Sequence, residues 1–272
     1  MITLLKHEFI QTRGLLGVAA GAAALLALLG SLLAATGWPV LGQLGLVMAL
    51  MAIVALVPLT QILLAVRYWQ SSHGRGGYLT QTLPVPGPQI YWAKMLWAWA
   101  ASLLGALLSI GLALAASPLV AIGTGDQFRI LTTLQQGWTL LTDMAPVWGV
   151  VAAVATFVAM ILIWPAQYFF AATIGSQAPL NRWGAGGPVL VYIAVYLGVQ
   201  IITFVSFAAV PLAVGAQEGR LAMVPFNLFA EMASGPSPAD VMPLGFIPGL
   251  LVATLICIMW SVHSWKRRVS LV

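Results

Sequence analysis

From Gly14 through Val66 the chain carries no Asp, Glu, Lys or Arg. An uncharged stretch of this length cannot be the surface of a water-soluble domain. A bilayer span needs roughly 20 apolar residues, so the stretch holds two spans and the turn between them. Gly37, Trp38 and Pro39 interrupt it and mark that turn, with Trp38 at headgroup level. The same deficit holds throughout: 6% of the 272 residues are charged and 61% are hydrophobic, where a soluble domain has about 25% charged. The chain is expected to be an all-α, polytopic integral membrane protein with about six spans, forming one transmembrane domain over residues 1–272.

The spans are expected at Leu15–Ala35, Leu44–Val66, Tyr91–Val120, Val147–Thr173, Pro188–Val210 and Leu244–Trp265, with kinks at Pro58 and Pro165. The first is longer than the roughly 7 to 15 apolar residues of a signal peptide, so it reads as a retained span. Ahead of it, residues 1–14 place Ile2, Leu5, Phe9 and Leu16 on one helical face, with Lys6, His7, Gln11 and Arg13 around the rest. Two readings stand for this segment: an amphipathic helix lying on the membrane, or a charged start that sets orientation. The loop over residues 67–89 is broken by Gly74, Gly76 and Gly77 and again by Pro84, Pro86 and Pro88, which leaves Tyr78–Leu83 room for a turn or so of helix. Lys94 follows at the start of the third span, where its stem can snorkel to the interface. Phe128 to Leu141 reads as a surface helix. The loop over residues 211–243 is the longest, and its apolar segment Met223–Met232 is suited to touching or re-entering the bilayer.

The net charge of +5 does not point to nucleic acid, because the basic residues sit singly at the ends of apolar runs. Nine of the eleven fall on one side: Lys6, Arg13, Arg67, Arg75, Lys94, Arg182, Lys266, Arg267 and Arg268. Arg129 and Arg220 fall on the other, with the acids Asp126, Asp143, Glu218, Glu231 and Asp240. The positive-inside rule makes the nine-residue side cytoplasmic, with both termini. Cys257, the single cysteine, lies within an apolar run and reads as a small buried hydrophobe. Gly17 and Gly21 make one GxxxG, expected to serve packing within the chain rather than a dimer seam.

The chain has no GxxxxGK[ST] phosphate loop, no HExxH and no GxSxG, the motifs of P-loop nucleotide binding, zinc proteolysis and nucleophile elbows. Ser71, Ser72 and His73 form a polar interfacial run whose plain reading is solvation. The spans hold almost no ionisable side chain, which argues against proton coupling. Thr60, Gln61, Thr156, Gln167, Gln200, Thr203 and Ser206 are the polar groups within spans. Each suits either helix packing or the lining of a substrate pathway, for which Thr60, Gln61, Gln200, Thr203 and Ser206 are the candidates.

Three stretches resemble one family. LLKHEFIQTRG is similar to an amphipathic connecting helix placed before span 1. GGYLTQTLPVPGPQIYWAKML is similar to a loop holding a short coupling helix, a Leu-Pro-Val, a turn and a Lys that opens span 3. The long outer loop stands where that family places small re-entrant helices. The chain thus resembles the permease subunit of an ABC-2 type (type V) ABC transporter.

The resemblance implies an exporter subunit in a bacterial plasma membrane, paired with a second permease, identical or related. It implies two copies of a separate cytoplasmic ATPase that hold the ATP and Mg, leaving no cofactor and no enzyme activity on this chain. Tyr78, Leu79, Thr80, Gln81, Thr82 and Leu83 would form the coupling helix, and Lys6, Glu8 and Phe9 would belong to the connecting helix. Where family members often carry an acid before the coupling helix, this chain has His73, Gly74 and Arg75. The alternatives are an ion-coupled carrier or channel, a membrane-bound enzyme and a structural membrane subunit.

Overall fold

The computed structural model describes residues 1–74, 77, 80, 82, 84–125, 130–217, 220–227, 229–230 and 241–267. Among the described residues six helices are long and apolar enough to cross a membrane, and the chain is a multi-pass membrane protein. Two compact units, residues 1–137 and 138–272, each contain three of them.

In the first unit, helices α1 (Ile2–Ala35), α2 (Pro39–Ser72) and α3 (Gly87–Thr124) all pack on one another. They contain 34, 34 and 38 residues, so each is roughly 50 Å long or more at 1.5 Å per residue. The hydrocarbon core is about 30 Å thick. The surplus lies at the charged ends, near Lys6 to Arg13 in α1, Arg67 in α2 and Lys94 in α3. The expected separation of an N-terminal surface helix from span 1 is absent: α1 is continuous through Gly14. No proline and no run of turn residues interrupts that segment, so the helix carries its charged turns straight out of the apolar stretch.

Gly37 has φ 66°, a left-handed conformation that glycine adopts at little cost, and Trp38 follows in extended conformation as the cap of α2. Both helices continue through their internal prolines, α2 through Pro58 and α3 through Pro118. The α1–α2 seam is made by small residues. A Cβ on Gly30 would lie 2.6 Å from the Ala49 nitrogen, and one on Gly45 would lie 2.6 Å from the Ala34 nitrogen. Gly123 of α3 lies against the Ala34 carbonyl with no room for a Cβ. With no water to displace between helices in lipid, close backbone approach is the source of packing energy. The Gly17–Gly21 pair, expected to pack within the chain, meets nothing within 4 Å.

Helix α4 (Ile130–Met144) has no buried residue. In the second unit, α5 (Val147–Gly175), α6 (Gly186–Ala209) and α7 (Phe246–Arg267) pack on one another, with a short 3-10 turn at Leu180–Trp183. Pro165 lies inside α5. Cys257 of α7 is buried.

The chain is predominantly helical, as expected for an all-α polytopic membrane protein, and its one sheet lies in the connection between α6 and α7 among the described residues. Strands β1 (Leu212–Gln217), β2 (Arg220–Pro225) and β3 (Val241–Pro243) form an antiparallel sheet of order β2-β1-β3. Leu212 pairs with Pro225 and Gln217 with Arg220, so two residues, Glu218 and Gly219, join the first two strands. A two-residue connection containing glycine fixes a tight hairpin register. Met223–Pro225, expected at the start of a bilayer-touching segment, is therefore strand; residues 231–240 lie outside the described set.

The seam predicts a contrast. Gly30→Ala and Gly45→Ala, which force a methyl into backbone, should each destabilise the detergent-solubilised protein by about 1–3 kcal/mol. Gly17→Ala and Gly21→Ala, made into open space, should leave the melting temperature unchanged or slightly raised. Thermal unfolding followed by circular dichroism measures both pairs.

Candidate functional site

The charged ends of α1, α2 and α3 meet around Lys94. Its Nζ donates to Glu8 Oε1 at 2.7 Å and to Ser71 Oγ at 2.9 Å, joining all three helices at one atom. The lysine is only 4% exposed and the glutamate side chain 16%. Burying an ammonium without a partner is prohibitively costly, so the carboxylate makes the position tenable. Snorkelling, expected for Lys94, does not occur: the side chain turns inward because an acid stands on α1 within reach. One turn further along, Trp97 Nε1 donates to Thr12 Oγ1 at 2.8 Å, and that hydroxyl donates to the Glu8 carbonyl at 2.8 Å. The Phe9 and Trp97 rings meet edge to face at 5.4 Å. Residues 8 and 12 of α1 are spaced i, i+4, and residues 94 and 97 of α3 are spaced i, i+3. Each pair lies on one helical face, so the two contacts clamp α1 alongside α3.

The loop after α2 is tied into this cluster. Thr80 Oγ1 donates to the Ser71 carbonyl at 2.6 Å, and Gly77 N donates to the Gly74 carbonyl at 2.8 Å. Gly77 and Thr80 have helical backbone. Of the proposed coupling residues, Thr80 and Thr82 are described, while Tyr78, Leu79, Gln81 and Leu83 lie outside the described residues. His73, the cap of α2, is buried against Tyr68, ring centroids 5.7 Å apart. Burial, and secondarily the nearby Lys94 charge, push its pKa from 6.5 down to about 4.

A serine beside a lysine can be a nucleophile with its base. Here the ammonium is held by Glu8 and donates to Ser71 Oγ, so the hydroxyl oxygen is an acceptor. The arrangement fixes helices rather than activating oxygen. Beside the cluster lies a cavity of about 770 Å³ lined by the first turns of α1, the last turns of α2 and Thr80.

The remaining sequence candidates are divided between the units. Lys6 and Phe9 of α1 are exposed, while Glu8 is drawn inward. Thr60 and Gln61 are buried in α2. In the second unit Gln200 is exposed. Ser206 is buried and donates to the Gly245 carbonyl at 2.5 Å, so it locks α6 to the start of α7. Thr203 Oγ1 and the buried Gln167 Nε2 have no hydrogen-bond partner among the described residues. Gln177 at the end of α5 bonds Ser264 of α7. The pairing of Glu8 with Lys94 escaped the sequence reading. Its signal was present: Glu8 is the one acid among the nine basic residues of its side.

Comparison of the chain with family models, with curated proteins and with solved structures gave no match.

Two outcomes follow from the cluster. Glu8→Gln or Lys94→Met alone strands a buried charge or its polar partner and should cost about 3–5 kcal/mol, whereas Glu8→Leu combined with Lys94→Met should recover most of it. A double-mutant cycle on thermal unfolding measures this. His73 stays neutral in the native state down to about pH 4, while the unfolded chain takes up a proton near pH 6.5. Stability is therefore full above that pH and falls as the pH drops toward 4, by roughly 3 kcal/mol from this group. His73→Gln should flatten the melting-temperature profile over that window.

Proposed function

We propose that the chain is the transmembrane permease subunit of an ATP-driven ABC exporter, coupled to separate ATPase subunits through the loop between α2 and α3. The observation that carries the reading is the tether: Thr80 holds the loop to Ser71, Ser71 accepts from Lys94, and Lys94 binds Glu8. A displacement of the loop is thereby passed to the ends of three helices at once. Coupling requires an element whose docking differs between two states, and the Thr80 bond attaches the loop to helix ends that are themselves joined by the charge-assisted bonds of Lys94.

In this reading the charged ends of α1, α2 and α3 face the cytoplasm, in keeping with the excess of Lys and Arg on that side. ATP and Mg2+ bind on the partner, since the sequence lacks a P-loop. Two permeases, this chain with an identical or related one, enclose the substrate pathway. Gln167 and Thr203, whose side chains have no hydrogen-bond partner among the described residues, are candidates for its lining. The membrane is a bacterial plasma membrane.

The test uses the complex of this chain with an ATPase subunit from its own gene neighbourhood, reconstituted in vesicles. Leu79→Asp with Leu83→Asp should leave the helical circular dichroism intact and reduce ATP-dependent transport at least tenfold. Transport by the purified chain without any ATPase, or unchanged coupling in the double variant, defeats the proposal.

A further inference from the structure

We propose that the cavity between the first turns of α1 and the end of α2 binds a phosphate ester. Its volume of about 770 Å³ admits a lipid headgroup or a small soluble phosphate. The charge on its wall is cationic. Glu8 lines it but is neutralised by Lys94 at 2.7 Å. Arg67 lines it from α2, exposed, with no hydrogen bond or ion pair among the described residues. A guanidinium offers the planar fork that takes two phosphate oxygens. His7, Gln70 and Thr3 add donors around the mouth. Depth favours the same ligand. Arg67 is the first charged residue after the apolar run ending at Val66, so the cavity stands at the boundary where lipid phosphates lie.

The full chain in mild detergent provides the test, in two arms. Native mass spectrometry after mixing with phosphatidylglycerol should retain bound lipid, and Arg67→Gln should reduce that retention at least fivefold. Arg67→Lys should reduce it less. Lys6→Gln, at an exposed residue that does not line the cavity, should leave it unchanged. In the second arm, sn-glycerol 3-phosphate is titrated by isothermal calorimetry. Arg67-dependent heat there identifies a soluble ester, and its absence beside Arg67-dependent lipid retention identifies the lipid. Retention and heat both unchanged in Arg67→Gln, with helical content and elution volume intact, overturn the site.

A different observation carries a second proposal: we infer that α4 lies in the lipid headgroup layer at the far end of α3. Its Ile130, Leu131, Leu134, Trp138 and Leu141 fall within an arc of roughly 100° at 100° per residue, and all five are exposed. The opposite arc carries Gln135, Gln136, Thr139 and Asp143. Only Ala145 and Pro146 join α4 to the spanning helix α5, and five residues join it to α3, so both ends are held at the bilayer surface. At about 22 Å it is too short to cross the bilayer. The helix contains no Lys or Arg, so it associates with lipid through its apolar face and Trp138 rather than through anionic headgroups.

Spin labels on single cysteines in a Cys257→Ala background, with the chain reconstituted in phosphatidylcholine vesicles, test this. Labels at Leu131→Cys, Leu134→Cys and Leu141→Cys should show an oxygen-to-nickel collision ratio at least threefold above labels at Gln135→Cys, Gln136→Cys and Thr139→Cys. Equal ratios around the helix overturn the placement. So does shielding of the apolar face from both quenchers, which would mean a protein covers it.

Discussion

Lipid cannot hydrogen-bond a peptide group, and this constraint shapes the whole molecule. Every backbone N–H and C=O at membrane depth must find its partner within the chain, so the apolar stretches become long helices. Apolar side chains then gain little by leaving lipid for a neighbouring helix, so helix contacts depend on backbone approach. That is why Gly30, Gly45 and Gly123 occupy the α1–α2–α3 seams, and why Gly249 comes close to Ser206 between α6 and α7. The sheet between α6 and α7, with β2 and β3 as open edges, lies in the most charged connection outside the spans, where that rule does not apply.

The same solvent governs the charges. An ammonium can sit at the edge of the apolar layer only if it reaches water or a counter-charge. Lys94 takes the second course, and its choice of Glu8 and Ser71 draws three helix ends together. Such a pair adds less to stability than its short distances imply, because both ions lose hydration. Its effect is geometric: one partner cannot leave without stranding the other. Arg67 shows the alternative, an exposed guanidinium with no hydrogen bond or ion pair among the described residues.

Much of this was legible in the sequence, for definite reasons. Spans are read from composition over a score of residues, and a score of residues averages out local uncertainty; hence six expected spans and six such helices. Features set by one contact were not legible. Lys94 was expected to snorkel because its own neighbourhood is aromatic and interfacial; only the fold shows Glu8 across α1. Gly17 and Gly21 carry a packing spacing but face open space, while the seam uses Gly30 and Gly45 on two different helices, a pairing no single-segment motif contains. The strands at Leu212–Pro225 were missed because the segment is apolar, and apolarity in a membrane chain reads first as depth. Its hairpin signal, the Glu218–Gly219 pair between matched runs, is short and easily outweighed.

The position of the Lys94 cluster bears on how a bundle like this could be driven. A helix packed in lipid slides against its neighbours at low cost in hydrophobic energy, because either position is apolar. Force applied to one helix end would then be lost in slippage unless the ends are locked. The Glu8–Lys94 and Thr12–Trp97 contacts lock α1 to α3, and Ser71 adds α2. Farther along the helices the Gly–Ala seam between α1 and α2 is close-packed and, like any close-packed interior, transmits displacement rather than absorbing it. The first unit therefore has the mechanical character of a single rod bundle held at one end by charge and along its length by backbone contact. Replacing both charges together, Glu8→Leu with Lys94→Met, should free the helix ends while leaving the seam intact and strands no charge, which separates the transmission of movement from most of the stability of the fold.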